Sequence, residues 1–403
     1  MAEPQTSPVE NAATSTYSVR PVRAATGALT TTIACSVPVF LVGGLAVQIG
    51  DELDFTPAGL GLAVSAYFGA SALASVPAGA LVERYGSTTV ARAGIALASA
   101  SLLTIAVAAT SLWTLIAILA LGAGANAMGQ LASNTSLSRH VPVRRQGLSF
   151  GVKQAAIPVS TLLAGAAVPV VALTVGWRWA FVLAAAGAAG ALWLVPSERD
   201  VARRPEAGNG ERATAALVVI GVAATLAAGS ANALGTFLVD SAVARGLAPG
   251  TAGLALALGG AVCVVARLYG GWQADRFPAH QIAVIAGLLA AGAVGLALMA
   301  APSPATLFLG VVLGFGLGWA WPGLMNFAVV RLHPQAPAAA TSITQTGVYA
   351  GGCLGPLGLG ALAAAAGYPV MWTAAGIAML CAAAAMVVGS RMLTRHAVTT
   401  AAA

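Results

Sequence analysis

Lys153 and Arg267 are the two basic residues that fall inside otherwise apolar runs of this 403-residue chain. An isolated cation at the centre of a membrane helix costs roughly 2.5–3.5 kcal/mol on insertion scales. Two readings compete for each. Either the stem lies in apolar surroundings and the head reaches the interface, or the charge faces an internal cavity and binds an anion. Lys153 follows Arg145 by eight residues, and Arg267 precedes Asp275 by eight. Each therefore lies about 12 Å along its helix from a polar end. Polar stripes accompany them. Asn126, Gln130 and Asn134 recur every four residues and so share one helix face, as do Thr341, Gln345 and Tyr349. The segment GWAWPGLMN sets Trp319 and Asn326 seven residues apart, with Pro322 between. Such groups supply an aromatic wall and neutral hydrogen bonds for a solute, or hydrogen bonds between membrane helices.

The elements that position these residues follow from composition. The chain is 58% hydrophobic and 8% charged, against about a quarter charged in a soluble protein, so it cannot cover itself with polar surface in water. Apolar runs of helix-spanning length recur, and they lack the alternation of a membrane barrel. Twelve spans are expected, at 26–49, 58–82, 90–109, 112–136, 148–174, 179–196, 214–239, 250–273, 281–300, 304–329, 339–366 and 370–391. Of the 19 basic residues, 15 fall on one side of this arrangement, while Asp51, Glu52, Asp54 and Asp240 fall on the other. The positive-inside rule then places both termini in the cytoplasm. The first 23 residues are polar, with no cleavable signal.

Other chemistries are not supported. The net charge of +7 sits in short loops, with no basic stripe or aromatic reading motif for nucleic acid. Cys35, Cys263, Cys353 and Cys381 all fall in spans and read as small buried residues. No histidine lies deep in a span, and no span interior carries a carboxylate, so an obvious proton carrier is missing. No nucleophile–base pair, metal cluster, cofactor motif or phosphate-binding glycine loop is present.

The chain also repeats itself. Residues 55–86 align without gaps on 247–278, pairing Pro57 with Pro249, Gly61 with Gly253, Gly79 with Gly271 and Arg84 with Arg276. Further on, Asn134 meets Asn326, and after a one-residue slip Gln154 meets Gln345 and Gly176 meets Gly367. The expected units are an N-terminal tail (1–23), a six-helix bundle (24–196), a joining segment (197–212), a second bundle (213–393) and a C-terminal tail (394–403). Parallel repeats of this kind are a transporter architecture, with the solute site where the halves meet.

GALVERYG (79–86) and GGWQADRFP (270–278) resemble the loop signature of the major facilitator superfamily and its echo in the second half. Glu83 stands where that signature has Asp, and Ser87 and Thr88 stand where it has basic residues. The resemblance implies an all-α membrane fold of twelve helices in two pseudo-symmetric bundles, with a central cavity and rocker-switch alternating access. It further implies a gating role for Glu83, Arg84, Asp275 and Arg276, and contacts of helix five with eight and of two with eleven. It also favours an anion on Arg267, since an intramembrane arginine on helix eight recurs in carriers of small anions.

The expectation is therefore a multi-pass transporter in the cytoplasmic (inner) membrane, a monomer without cofactor or metal. It binds a small organic or inorganic anion through Arg267, Lys153, Gln154, Gln345, Asn126, Gln130, Tyr349, Trp319 and Asn326. Coupling to a proton stays open. The competing reading is export of an amphipathic drug or secondary metabolite, suited by the tryptophans. A receptor or scaffold is disfavoured because no sizeable soluble domain lies outside the spans.

Overall fold

The computed structural model describes residues 21–142, 145–196, 214–277, 279–332 and 337–402. Among these, twelve helices are long and apolar enough to cross a membrane. They are α1 Val22–Gly44, α2 Pro57–Tyr85, α3 Ser87–Ala108, α4 Leu112–His140, α5 Gly147–Val175 and α6 Trp177–Leu194 in the first bundle. The second holds α7 Thr214–Val243, α8 Pro249–Arg276, α9 Gln281–Ala300, α10 Pro304–Leu332, α11 Ala340–Ala366 and α12 Tyr368–Thr394. Twelve crossings return the chain to the side where it began, here called the terminal face; the opposite side is the far face. Residues 1–20 and 197–213 lie outside the described residues, and with them most of the expected N-terminal tail and the joining segment. The expected C-terminal tail instead prolongs the last helix, which runs Tyr368–Ala402.

Helix is the form that satisfies backbone groups within lipid, and prolines and glycines punctuate it. Pro57, Pro249 and Pro304 open α2, α8 and α10, where a missing N–H costs nothing. Gly176 and Gly367 turn the chain into α6 and α12 at φ of 100° and 85°, a region that L side chains avoid. They are mates in the sequence repeat, so the repeat extends to the backbone angles of its turns.

Helix α1 packs on α4, α5 and α6, and α7 on α11 and α12. The bundles meet through α1 with α7, α2 with α11, and α5 with α8. Small residues line the last two seams. A Cβ on Gly165 would stand 2.5 Å from the Gly253 carbonyl, and one on Gly260 would stand 2.7 Å from the Pro158 carbonyl. A Cβ on Gly61 would stand 2.2 Å from the Pro356 carbonyl. Only glycine permits backbones this close. Gly347, Gly351 and Gly355 seat α11 on α7 in the same way, against Gly221, Thr225 and Gly229.

Four spans expected as continuous helices are broken, the first of them at Leu45, between Pro21–Gly44 and Ala46–Leu53. Helix α4 is interrupted at Ala123, between Leu112–Gly122 and Gly124–His140. Helix α5 is interrupted at Ala155 and again by a π turn over Val168–Ala172. Helix α10 carries a π turn over Gly314–Gly318 and resumes at Pro322. The cause in α5 and α10 is proline, which removes the N–H that the carbonyl four residues earlier would accept and crowds that carbonyl. Pro158 frees the Gln154 carbonyl, and Pro322 disrupts the turn holding Gly318 and Trp319. The cysteines also differ from expectation. Cys35 and Cys263 are buried, but Cys353 is half-buried and Cys381 is exposed, because their helix faces turn outward.

Candidate functional site

A cavity of about 750 Å³ of empty space lies between the bundles. Ser36 and Phe40 of α1, Tyr67 and Phe68 of α2, and Asn126 and Gln130 of α4 form part of its wall. Gln154 of α5 completes the first-bundle side, and Asn232 and Arg267 stand opposite on α7 and α8. Helix α10 adds Trp319, Trp321 and Asn326, and α11 adds Gln345 and Tyr349. Eight expected site residues thus meet at one cavity. Lys153 does not line it: its ammonium is 1% exposed and donates to the Gln130 Oε1 behind the wall.

Arg267 is 2% exposed. Its Nε and Nη2 donate to the Trp319 carbonyl at 3.1 and 2.8 Å, and Nη1 donates to the Gln154 carbonyl. Both acceptors sit at the helix breaks just described. Pro158 releases the Gln154 carbonyl, the break before Pro322 leaves the Trp319 carbonyl outside regular helix, and an arginine from α8 gathers both. A guanidinium has five N–H donors; three go to carbonyl oxygens here, and the Cys263 thiol is a further neighbour. The guanidinium carbon lies 5.9 Å from the centre of the Trp319 ring, which tilts against Phe40 and Phe315 at 5.9 and 5.5 Å.

Neither Lys153 nor Arg267 makes a salt bridge among the described residues. A described ion pair lies on the far face instead, between Arg178 and Glu52 at 2.6 Å. Two cations are thus held away from water with carbonyl and amide oxygens, and for Arg267 the Cys263 thiol, as partners among the described residues. Such oxygens supply partial charge where removal from water calls for a full one.

Other wall groups differ in what they have to offer. The Tyr67 hydroxyl is spent on the Cys35 carbonyl at 2.8 Å, and the Asn232 amide on the Ala228 carbonyl at 2.8 Å. The Asn126 amide donates to Ser71 Oγ at 3.3 Å. By contrast, Trp321 Nε1 and Gln154 Oε1 are buried without a partner. A buried polar atom left unpaired is costly, and these two, a donor and an acceptor, belong to residues of this wall. The sequence reading missed Trp321, Asn232, Tyr67 and Ser36. Trp321 had a signal, since it flanks the proline that breaks α10.

The four residues expected to gate separate into two unlike pairs. The Asp275 carboxylate, at the terminal-face end of α8, accepts the N–H groups of Gly147 at 2.8 Å and Leu148 at 2.9 Å. A residue of the second bundle thereby caps a helix of the first, where the partial positive charge of the helix start favours an anion. Beside it, Gly271 is so tight that a Cβ would stand 2.8 Å from the Gly147 carbonyl. Arg276 stacks at 5.6 Å over Trp272. The repeat mates behave otherwise. Glu83 and Arg84 are exposed, with no hydrogen bond or ion pair among the described residues, and Arg84 stands 5.2 Å from the Tyr85 ring. A Cβ on Gly79 would meet open space. At the far face, by contrast, the seams of α2 with α11 and of α5 with α8 are both tight, at Gly61 and Gly253. The halves are therefore closed at the far face. At the terminal face they are latched through Asp275, while no neighbour stands within 4 Å of a Cβ on Gly79.

On the far face, Glu52 accepts from Arg178 at 2.6 Å and from Trp177 Nε1 at 2.6 Å. The hydrogen bond from Arg178, with that from Trp177, holds the Glu52 carboxyl below its ordinary value.

Residues 27–221 match the family model of the Major Facilitator Superfamily, and residues 219–400 match it again. Probable anion transporter 3, chloroplastic, of Arabidopsis thaliana is 28% identical over 173 residues, which are 43% of this chain and 33% of that protein. The chain thus matches about a third of the length of that curated relative. Two crystal structures of a bacterial homologue of the human lysosomal transporter Spinster share the fold. The inward-facing, occupied form has a TM-score of 0.69 at 17% identity, covering 93% of this chain and 95% of that one. The inward-facing, unoccupied form has a TM-score of 0.68 at 15% identity, covering 93% and 96%.

Proposed function

Since the chain belongs to the Major Facilitator Superfamily and is a membrane transporter rather than an enzyme, we propose that it carries a small anion by rocker-switch alternating access. Arg267 is the anchor in this reading. The observation that carries it is a buried guanidinium at the cavity wall, with no carboxylate partner among the described residues and only three of its five N–H donors given to oxygen. An anion there supplies the missing counter-charge, and a charge-assisted, two-pronged contact suits a carboxylate or a phosphate-like group. Trp321 Nε1 offers a third donor, while the orphaned Gln154 Oε1 accepts a hydroxyl or N–H of the same solute. Asn126, Gln130, Asn326, Gln345 and Tyr349 form the polar remainder of the wall. The Arabidopsis relative, a probable anion transporter, agrees with this substrate class.

The two halves in motion are 24–196 and 213–393, turning about the closed far face. Asp275 and Arg276 serve as one gate of the terminal face, Glu83 and Arg84 as the other. The uneven basic residues make the terminal face cytoplasmic, in the inner membrane, so the state described here opens inward. The protein works as a monomer in this reading.

A second reading rests on the apolar wall. Phe40, Phe68, Trp319 and Trp321 could seat an amphipathic solute for export. Reconstitution into liposomes with a panel of labelled anions and cationic amphiphiles, with and without a pH gradient, separates the two. Anion uptake that competes with unlabelled anions supports the first reading. Amphiphile transport with no response to any anion supports the second.

A further inference from the structure

Lys153 does not itself line the cavity, yet it is buried and has no carboxylate partner among the described residues. Its ammonium donates to Gln130, whose side chain does line the cavity. Arg267 is packed against the same stretch of α5: a Cβ on Gly151 would stand 2.8 Å from the Arg267 carbonyl, and the residue after Lys153, Gln154, gives its carbonyl to the Arg267 guanidinium. Few charged or titratable groups face this point from the helices packed around it. Helix α8 brings Arg267, and it brings Asp275, which is engaged with Gly147 and Leu148, six residues or about 9 Å nearer the terminal face. Arg331 of α10 is exposed at that face, and Arg139 and His140 of α4 sit at the same end. Helix α1 contributes Cys35, buried, and Arg23 at its exposed start.

Two like charges in a site of low dielectric oppose each other strongly. A guanidinium keeps its proton under all ordinary conditions, whereas a lysine ammonium releases its proton readily when buried. An anion on Arg267 cancels the opposition and favours the charged form of its neighbour. We propose that Lys153 is a proton-binding site coupled to the anion site. Its Nζ lone pair takes a proton from hydronium when the anion loads, leaving water. It returns that proton to water when the anion leaves, so one proton accompanies each anion. For a monoanion the charges sum to zero, so turnover is driven by a pH gradient and is indifferent to membrane potential. Gln130 is the contact between Nζ and the water of the cavity, and turning its amide aside opens the route. This inference rests on the anion reading given above.

The test uses full-length protein in liposomes with radiolabelled lactate, benzoate and phosphate as probes, in two assays. One is exchange of labelled for unlabelled anion; the other is accumulation driven by a pH gradient. Wild type is expected to do both, and its pH-driven accumulation of a monoanion should not respond to a potassium–valinomycin potential. In Lys153→Met and in Lys153→Arg, which keeps a fixed charge, the ratio of pH-driven accumulation to exchange should fall at least tenfold. Accumulation at the wild-type ratio in either variant overturns the proposal, as does wild-type transport that carries net charge with a monoanion. Loss of exchange and accumulation together in both variants, with the protein still folded by circular dichroism, overturns it too and makes Lys153 an anion ligand. Absence of exchange for every probe in wild type would instead strike the anion reading itself.

Discussion

The Arg267 guanidinium on α8 is hydrogen-bonded to the main-chain carbonyl of Gln154 on α5, across the seam between the two bundles. The acceptor exists because Pro158 cannot supply the N–H that would otherwise occupy it. A cation, a helix break and an inter-bundle contact are thus one feature. In the anion reading, substrate that draws on Arg267 would act on the seam between the bundles.

Pro158→Ala tests that link. An alanine N–H can reach the Gln154 carbonyl and complete the turn, competing with Arg267. The expected outcome is an unchanged or higher thermal midpoint in detergent, with a several-fold weaker apparent affinity for anion. Concentration-dependent uptake in liposomes measures it. An unchanged affinity would mean that the released carbonyl does not set the arginine's position.

Asp275→Asn removes the charge from the cap on α5 while keeping its shape. Loss of a good helix cap costs about 0.5–2 kcal/mol. That cost falls only on states in which the terminal face is latched. Spin labels at Arg145 and Leu332, both exposed, should therefore report a longer and broader distance distribution in the variant. An unchanged distribution removes Asp275 from the gate.

Glu52 makes a pH prediction with a definite sign. Its carboxyl is held below the ordinary value of 4.5, by Arg178 first and then by Trp177. The stability it contributes is fully present above that ordinary value and is lost as pH falls through the lower value in the folded state. The pair is partly exposed, so the effect is modest and weakens with salt. Unfolding of wild type and Glu52→Gln, followed across acid pH, should differ at neutral pH and converge in acid. A difference that grows in acid would contradict the assignment.

Gly351→Leu should destabilise the second bundle, because a Cβ there would stand 2.2 Å from the Thr225 carbonyl. Overpacking of this sort costs about 1–3 kcal/mol. Gly358→Leu is the control, since its Cβ meets nothing within 4 Å. Thermal midpoints in detergent should fall for the first and hold for the second.

Much of this was readable from residue pattern. Apolar run length gave the twelve helices, and Pro57 with Pro249 and Gly176 with Gly367 gave the repeat that the backbone angles share. The four-residue spacing of Asn126 and Gln130, and of Gln345 and Tyr349, gathered residues that now line one cavity. The sense in which a helix is rotated was not readable. Lys153 and Gln154 are neighbours, yet one stands behind the wall and the other in it. Main-chain groups were also hidden, because a side-chain pattern says nothing of carbonyls. Counting four residues back from Pro158 would have found Gln154. The unequal gates had no signal either: Gly79 and Gly271 are equivalent in the repeat, and only the conformation tells them apart.

The most direct measurement is uptake of a labelled anion by liposomes containing wild-type protein or Arg267→Met. Methionine preserves much of the stem and removes the charge. The account expects uptake by the variant to fall to the level of protein-free liposomes, with the protein still folded by circular dichroism. Uptake at the wild-type rate would contradict it and take the anion away from Arg267.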